Sequence, residues 1–200
     1  MSDDIRKKWD QRFTNKKPIA PTPPPFTGFM QPFLKPGSLL DIACGDGALS
    51  LYFAQNGWQV TGLDISAVAL DRMKSFANDA NLKLHTLCCD LSELSCHNQA
   101  GLTEQPTQYN NIVIGRYKPD IEQWQSIISL LQDGGILCIS TFNELQHLEH
   151  NFSKRFCLEE NELRMLKGLK LIQYQRSVYN GDHFDNYCFQ KQPTQSIVTP

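Results

Sequence analysis

From Ser38 onward, short apolar runs alternate with longer stretches in which apolar residues recur at helical spacing. Short runs of this kind suit strands covered on both faces, and the rhythm predicts a mostly parallel sheet with helices packed on it. Strands are expected at Leu39–Ala43, Gln59–Asp64, Leu82–Cys88, Asn111–Gly115 and Gly135–Phe142. Helices are expected at Gly47–Gln55, Ala67–Ala80 and Ile121–Leu131, with Gly57 and Gly134 in cap positions. After Phe142 the pattern changes to a polar loop, a short helix near Leu158–Leu166, and two more strand-like runs, Leu169–Val178 and His183–Gln190. Asn180-Gly181 between those runs is a strong hairpin signal, so the sheet should end in an antiparallel pair.

Ahead of the sheet, residues 1–37 read as an arm or lid: a polar helical opening around Trp9–Phe13, then PIAPTPPPF, whose prolines cannot continue a helix. Residues 38–191 form the single domain that a chain of 200 residues suits, and 192–200 read as a flexible tail. The segment Ser92–Gln108 is expected to be a polar loop with at most one helical turn.

A formal charge of −2 with 40% hydrophobic residues lacks the basic excess that nucleic-acid binding calls for. No run has the apolar length of a membrane span, and MSDDIRKKWDQRF has no signal-peptide core, so a cytoplasmic chain is expected. Seven cysteines is an odd count; Cys44, Cys88, Cys138 and Cys188 sit in strand-like runs where reduced thiols behave as small hydrophobes. Cys88-Cys89 with Cys96-His97 matches no zinc-module spacing, and no metal is expected.

Candidate chemistry starts at LLDIACGDGALS, residues 39–50, a strand that breaks into Gly45-Asp46-Gly47 and then a helix. Glycines there let a ligand approach the backbone, as in nucleotide-binding crossovers. Yet Ser50 stands where a dinucleotide site prefers a third glycine, and the carboxylates of Asp41 and Asp46 would repel a pyrophosphate. Asp64 ends the second strand, where a carboxylate can hold ribose hydroxyls, and Asp90 follows the third in CCDL. A ligand with a ribose, an exocyclic amine and a cationic amino-acid part satisfies these acids. S-adenosylmethionine has those parts.

LLDIACGDGALS, VTGLDIS and CCDL, in this order and spacing, resemble the nucleotide motifs of class I S-adenosylmethionine-dependent methyltransferases over roughly Phe33–Phe142. The resemblance implies an α/β fold: a seven-stranded Rossmann-like sheet, mostly parallel, with an antiparallel C-terminal strand pair. It implies S-adenosylmethionine as cofactor, with Asp41, Gly45 and Gly47 near the methionine moiety, Asp64 at the ribose and Asp90 at the adenine amine, and Ala43, Ile65, Leu91 and Arg116 as further cofactor-binding candidates. A finer resemblance is to the tellurite-resistance-type small-molecule methyltransferases, through WDQRF, GRYKP, LLQDGGILCISTFN and RFCLEENELRML.

The other readings are local ones: Asp41 as a turn residue, Asp64 as a helix cap, Ser66 as the cap of the helix beginning near Ala67. On the acceptor side, Arg116 could orient an anion and Tyr117 could hydrogen-bond or stack on a substrate, while Trp9 and Arg12 could close the site from above. His85, His97, His147, His150 and His183 are scattered, and none is placed as a general base. The expected function is methyl transfer to a small-molecule acceptor. An RNA or protein methyltransferase and a non-catalytic S-adenosylmethionine-binding sensor or partner subunit are the alternatives.

Overall fold

Strands form at Ser38–Ile42 (β1), Gln59–Asp64 (β2), His85–Cys88 (β3), Tyr109–Gly115 (β4), Leu131–Phe142 (β5), Leu169–Tyr179 (β6) and Asp182–Lys191 (β7). They make one seven-stranded sheet in the order β3-β2-β1-β4-β5-β7-β6. All pairings from β3 to β5 are parallel, and β7 joins β5 and β6 antiparallel, as the alternating apolar rhythm and the Asn-Gly turn predict. This is the Rossmann-like methyltransferase topology, and the order reverses between β1 and β4. Open α/β sheets bind ligands at the carboxyl ends of the strands beside such a switch point. The structure, a computed structural model, describes residues 2–93 and 108–193.

Helices Ser2–Thr14 (α1), Thr27–Met30 (α2), Ala48–Gln55 (α3), Ala67–Asp79 (α4), Gln123–Ser129 (α5) and Glu144–His150 (α6) surround the sheet. One apolar layer contains Leu40, Ile112, Trp124, Leu137 and Tyr187; the other contains Phe26, Phe53, Val113, Phe184 and Cys188. Phe26, from the end of the proline-rich arm, is 1% exposed. Burying such a side chain contributes roughly 1.5–3 kcal/mol, enough to hold the arm's second half on the sheet. No described helix is long and apolar enough to cross a membrane.

Several boundaries differ from the sequence reading. The third strand starts at His85, because Asn81 adopts a positive φ and the Leu82 amide bonds back to the Ala77 carbonyl, which spends Leu82–Leu84 on leaving α4. Gly134 caps no helix: α5 already ends at Ser129, and the glycine lies within the irregular start of β5. The expected loop after Phe142 contains α6, whose first turn is capped by the Asn143 carboxamide accepting from the Leu145 amide. Around Leu158–Leu166 there are turns instead of a helix, with Asn161 at positive φ interrupting the run. Cys88 is exposed at the sheet edge, whereas Cys44, Cys138 and Cys188 are buried as free thiols. Most of the 92–108 loop and the residues after 193 lie outside the described residues, so those two expectations do too.

The turn from β1 into α3 fixes the whole nucleotide-side rim. At Gly47, φ is 93°, and a Cβ would stand 2.5 Å from the Met73 side chain of α4. Gly47→Ala should therefore cost roughly 2–4 kcal/mol through strain and overpacking. Urea denaturation measures this, and an unchanged midpoint would contradict the packing described.

Candidate functional site

Asp41, Asp64 and Asp90, with the glycine loop, lie at or just after the carboxyl ends of β1, β2 and β3, so parallel pairing brings them to one rim. After β1 the chain turns sharply, with Ala43 and Gly45 both at positive φ. Beneath this turn Asp41 is 1% exposed and accepts a 2.6 Å bond from the Ser50 hydroxyl of α3. Burial pushes its carboxyl up to about 7, against the lowering effect of the Ser50 bonds. Asp41 thus supports the loop from below and does not line the cleft described next.

Asp64 holds two turns at once. One carboxylate oxygen accepts from the Gly45 amide at 2.8 Å and the other from the Ser66 amide at 2.9 Å. Burial raises its pKa, and these amide bonds oppose the rise. Ser66 caps α4, as expected, accepting from the Ala69 amide at 3.1 Å. Asp90 accepts from the Ser92 amide and hydroxyl at 2.9 and 2.8 Å, which fixes the turn after β3.

Asp64 and Asp90 face a common cleft of about 330 Å³, together with Ala43, Ile65, Leu91 and Tyr117. Among the described residues no lysine or arginine lines it, and Asp120 adds a third carboxylate. Such a lining disfavours phosphates and suits a phosphate-free nucleoside that carries a positive charge. Ribose and base need polar acceptors beside apolar walls, and the cleft offers both.

The arm completes the rim. Ile5 of α1 lines the cleft, and Phe13, 8% exposed, packs so close over Gly45 that a Cβ there would stand 3.1 Å from its ring. Asp10 accepts from the Ser66 hydroxyl at 2.6 Å, joining α1 to the start of α4. Asp46, between the glycines, turns away from the cleft toward the arm: Lys16 reaches it at 2.7 Å and Arg72 at 3.4 Å. Arg72 also donates to the carbonyls of Lys16 and Lys17 at 3.1 and 2.6 Å. The inference that Asp46 would repel a phosphate in the site is corrected by this placement, because its charge is already paired outside it.

At the end of β4 the candidates separate. Tyr117 enters the cleft and donates to the Gln123 side chain at 3.0 Å; burial pushes its phenol up to about 12, so it is a neutral donor near pH 7. Arg116, at positive φ and exposed, lies over the Phe26 ring at 5.7 Å. Trp9 and Arg12 stack on each other at 5.0 Å on α1 without lining the cleft. Gly45 and Gly47 lie under Phe13 and against Met73. The sequence reading missed Ile5, Asp10 and Gln123. Ile5, Trp9 and Phe13 recur at i, i+4 and i+8, a stripe that marks α1 as a helix with a face to bury.

Two predictions follow from the buried acids. The folded pKa of Asp41 lies above the ordinary 3.8, so the protonated form favours folding. That contribution is full below the ordinary value and is lost as pH rises through about 7. The urea midpoint of the ligand-free protein should fall over this window and fall less in Asp41→Asn; equal slopes in both proteins would contradict it. Asp46→Asn should loosen the arm by roughly 1–3 kcal/mol, the scale of charge-assisted bonds. Tryptic cleavage after Lys16 then accelerates several-fold, and an unchanged rate would rule out the latch.

Residues 39–103 match the methyltransferase domain family. The chain is 31% identical over 106 residues to ubiquinone biosynthesis O-methyltransferase of Haemophilus ducreyi, covering 52% of this chain and 45% of that protein. A shorter stretch of 36 residues is 50% identical to ribosomal RNA small subunit methyltransferase C of Alcanivorax borkumensis, covering 18% of this chain and 11% of that one. The chain thus spans less than half the length of either relative. Among solved structures, one concerned with converting a disulfide bond into a thioacetal group during echinomycin biosynthesis superposes with a TM-score of 0.74 at 16% identity, over 97% of this chain and 95% of that one. TehB from Haemophilus influenzae gives 0.65 at 16% identity, over 92% and 67%. The strand order is the Rossmann-like methyltransferase topology, and the segment that matches the methyltransferase domain family, residues 39–103, carries its glycine loop, Asp64 and Asp90.

Proposed function

We propose that this protein transfers a methyl group from S-adenosylmethionine to a small-molecule acceptor. The observation that carries this reading is the cleft lining: Asp64 and Asp90 beside apolar walls, with no lysine or arginine among the described residues. In this reading Asp64 and Ile65 hold the ribose, Asp90 meets the adenine amine, and Leu91 packs on the base. Ala43 and the Gly45–Gly47 loop lie near the methionine part, and Asp41 keeps that loop in place through Ser50.

When bound, S-adenosylmethionine supplies a methyl group on a positively charged sulfur. The chain's own task is to align a nucleophile and exclude water. Tyr117, as a neutral donor in the cleft, orients the acceptor, and Arg116, exposed at the end of β4, draws an acceptor with anionic character. Trp9 and Arg12 stand on the arm that covers the loop, so acceptor entry and arm position are linked.

A small acceptor is favoured by a net charge of −2 without a basic excess, by a relative named for ubiquinone biosynthesis and by a structural neighbour from echinomycin biosynthesis. Within that class, a soft anion of the tellurite type fits the lack of a placed base, since such a nucleophile needs no proton removed. Support for it comes from WDQRF, GRYKP and RFCLEENELRML. The first docks α1 on the glycine loop; the second carries Lys118, which bonds to the Cys157 carbonyl and Glu162 of the third at 2.9 and 2.8 Å.

Calorimetric titration with S-adenosylhomocysteine tests the cofactor, with NADH as control. Asp64→Ala should weaken binding by about 1.5–3 kcal/mol, roughly ten- to hundredfold, and Asp90→Ala should weaken it as well. Preference for NADH, or unchanged affinity in both folded variants, would defeat the assignment. Methyl transfer to a panel of small acceptors, including tellurite, then tests the reaction; binding without transfer to any of them would favour a sensor.

A further inference from the structure

His150 and His183, far apart in sequence, come together at one corner of the fold with their ring centroids 5.6 Å apart. His150 ends α6 beside Glu149, and His183 is the second residue of β7. One ligand atom from each of Glu149, His150 and His183 lies within 4.8 Å of the others. We propose that these three side chains bind a single zinc ion, leaving one coordination position open to water.

The corner is built, because the two elements that carry the ligands are fastened to each other beneath them. Gln146, 4% exposed, donates to Asp182 at 2.7 Å and accepts from the His183 amide at 2.8 Å. The Asn143 amide donates to the His183 carbonyl at 3.2 Å, closing the same junction from the start of α6. The His183 ring is mostly covered, with a side-chain exposure of 13%, and its Nε2 already stands 3.0 Å from Glu149. Among the described residues, Glu149 pairs with no lysine or arginine that would compete for its charge.

Zinc bonds of about 2.0 Å to nitrogen or oxygen set tetrahedral ligands about 3.3 Å apart. Moving from 4.8 Å to that spacing needs only new rotamers for Glu149 and His150, both exposed. Two imidazoles and one carboxylate select zinc over calcium or magnesium, which take all-oxygen shells. His147 contributes no atom to this group, and its Nδ1 donates to the Phe152 carbonyl at 2.7 Å. The ion would clamp the end of α6 to the start of β7, at the carboxyl end of β5 and away from the nucleotide cleft.

The test is zinc titration of the full chain, kept reduced, by calorimetry and by competition with a chromophoric chelator. One zinc per chain is expected, with affinity falling at least about tenfold in His150→Gln and in His183→Gln. His150→Gln alters an exposed side chain, so its result stands even where His183→Gln fails to fold. Cobalt binding distinguishes the exposed Cys88 as a competing ligand: the proposal requires a spectrum without a thiolate charge-transfer band. No stoichiometric binding, equal affinity in His150→Gln, or a thiolate band would each overturn it.

Discussion

The site depends on one carboxylate placed between two turns. Asp64 accepts from the amide of Gly45, which follows β1, and from the amide of Ser66, which opens α4. Its burial disfavours the charge, and the two amide bonds restore part of that cost. The glycine loop and the α4 cap therefore have a common anchor, and the same acid remains on the wall of the cleft. Any ligand that bonds to Asp64 also senses the positions of both turns.

Around this anchor the acids divide the work. Asp41 is sealed below the loop and bonds to Ser50, so its role is to support. Asp46 meets Lys16 and Arg72 and fastens the arm. Asp10 returns from the arm to Ser66, two residues after the anchor itself. The chain's carboxylates thus close a loop of contacts from sheet to arm and back, leaving Asp64 and Asp90 at the cleft.

Legibility in the sequence followed the range of the interactions. β2 was readable to its ends, because Val60, Thr61, Gly62 and Leu63 form a short run of small, β-branched and apolar residues between Gly57 and Asp64. The hairpin was readable because Asn180 and Gly181 both take the positive φ that their residue types permit. α6 was not, although Asn143 and Gln146 have capping spacing; its two histidines and two glutamates hid the start of a helix in a polar stretch. The partners of Asp46 were out of reach, since Lys16 and Arg72 lie 30 and 26 residues away and meet it only after the arm docks. The zinc corner is likewise a product of packing, joining Glu149 to a residue 34 positions on.

The most direct measurement is a crystal structure of the protein with S-adenosylhomocysteine. The account predicts the ribose hydroxyls on Asp64, the adenine between Ile65 and Leu91 with its amine toward Asp90, and the amino-acid end along the Gly45–Gly47 loop under the arm. A nucleoside seated elsewhere, or one that leaves Asp64 and Asp90 without contact, would contradict it.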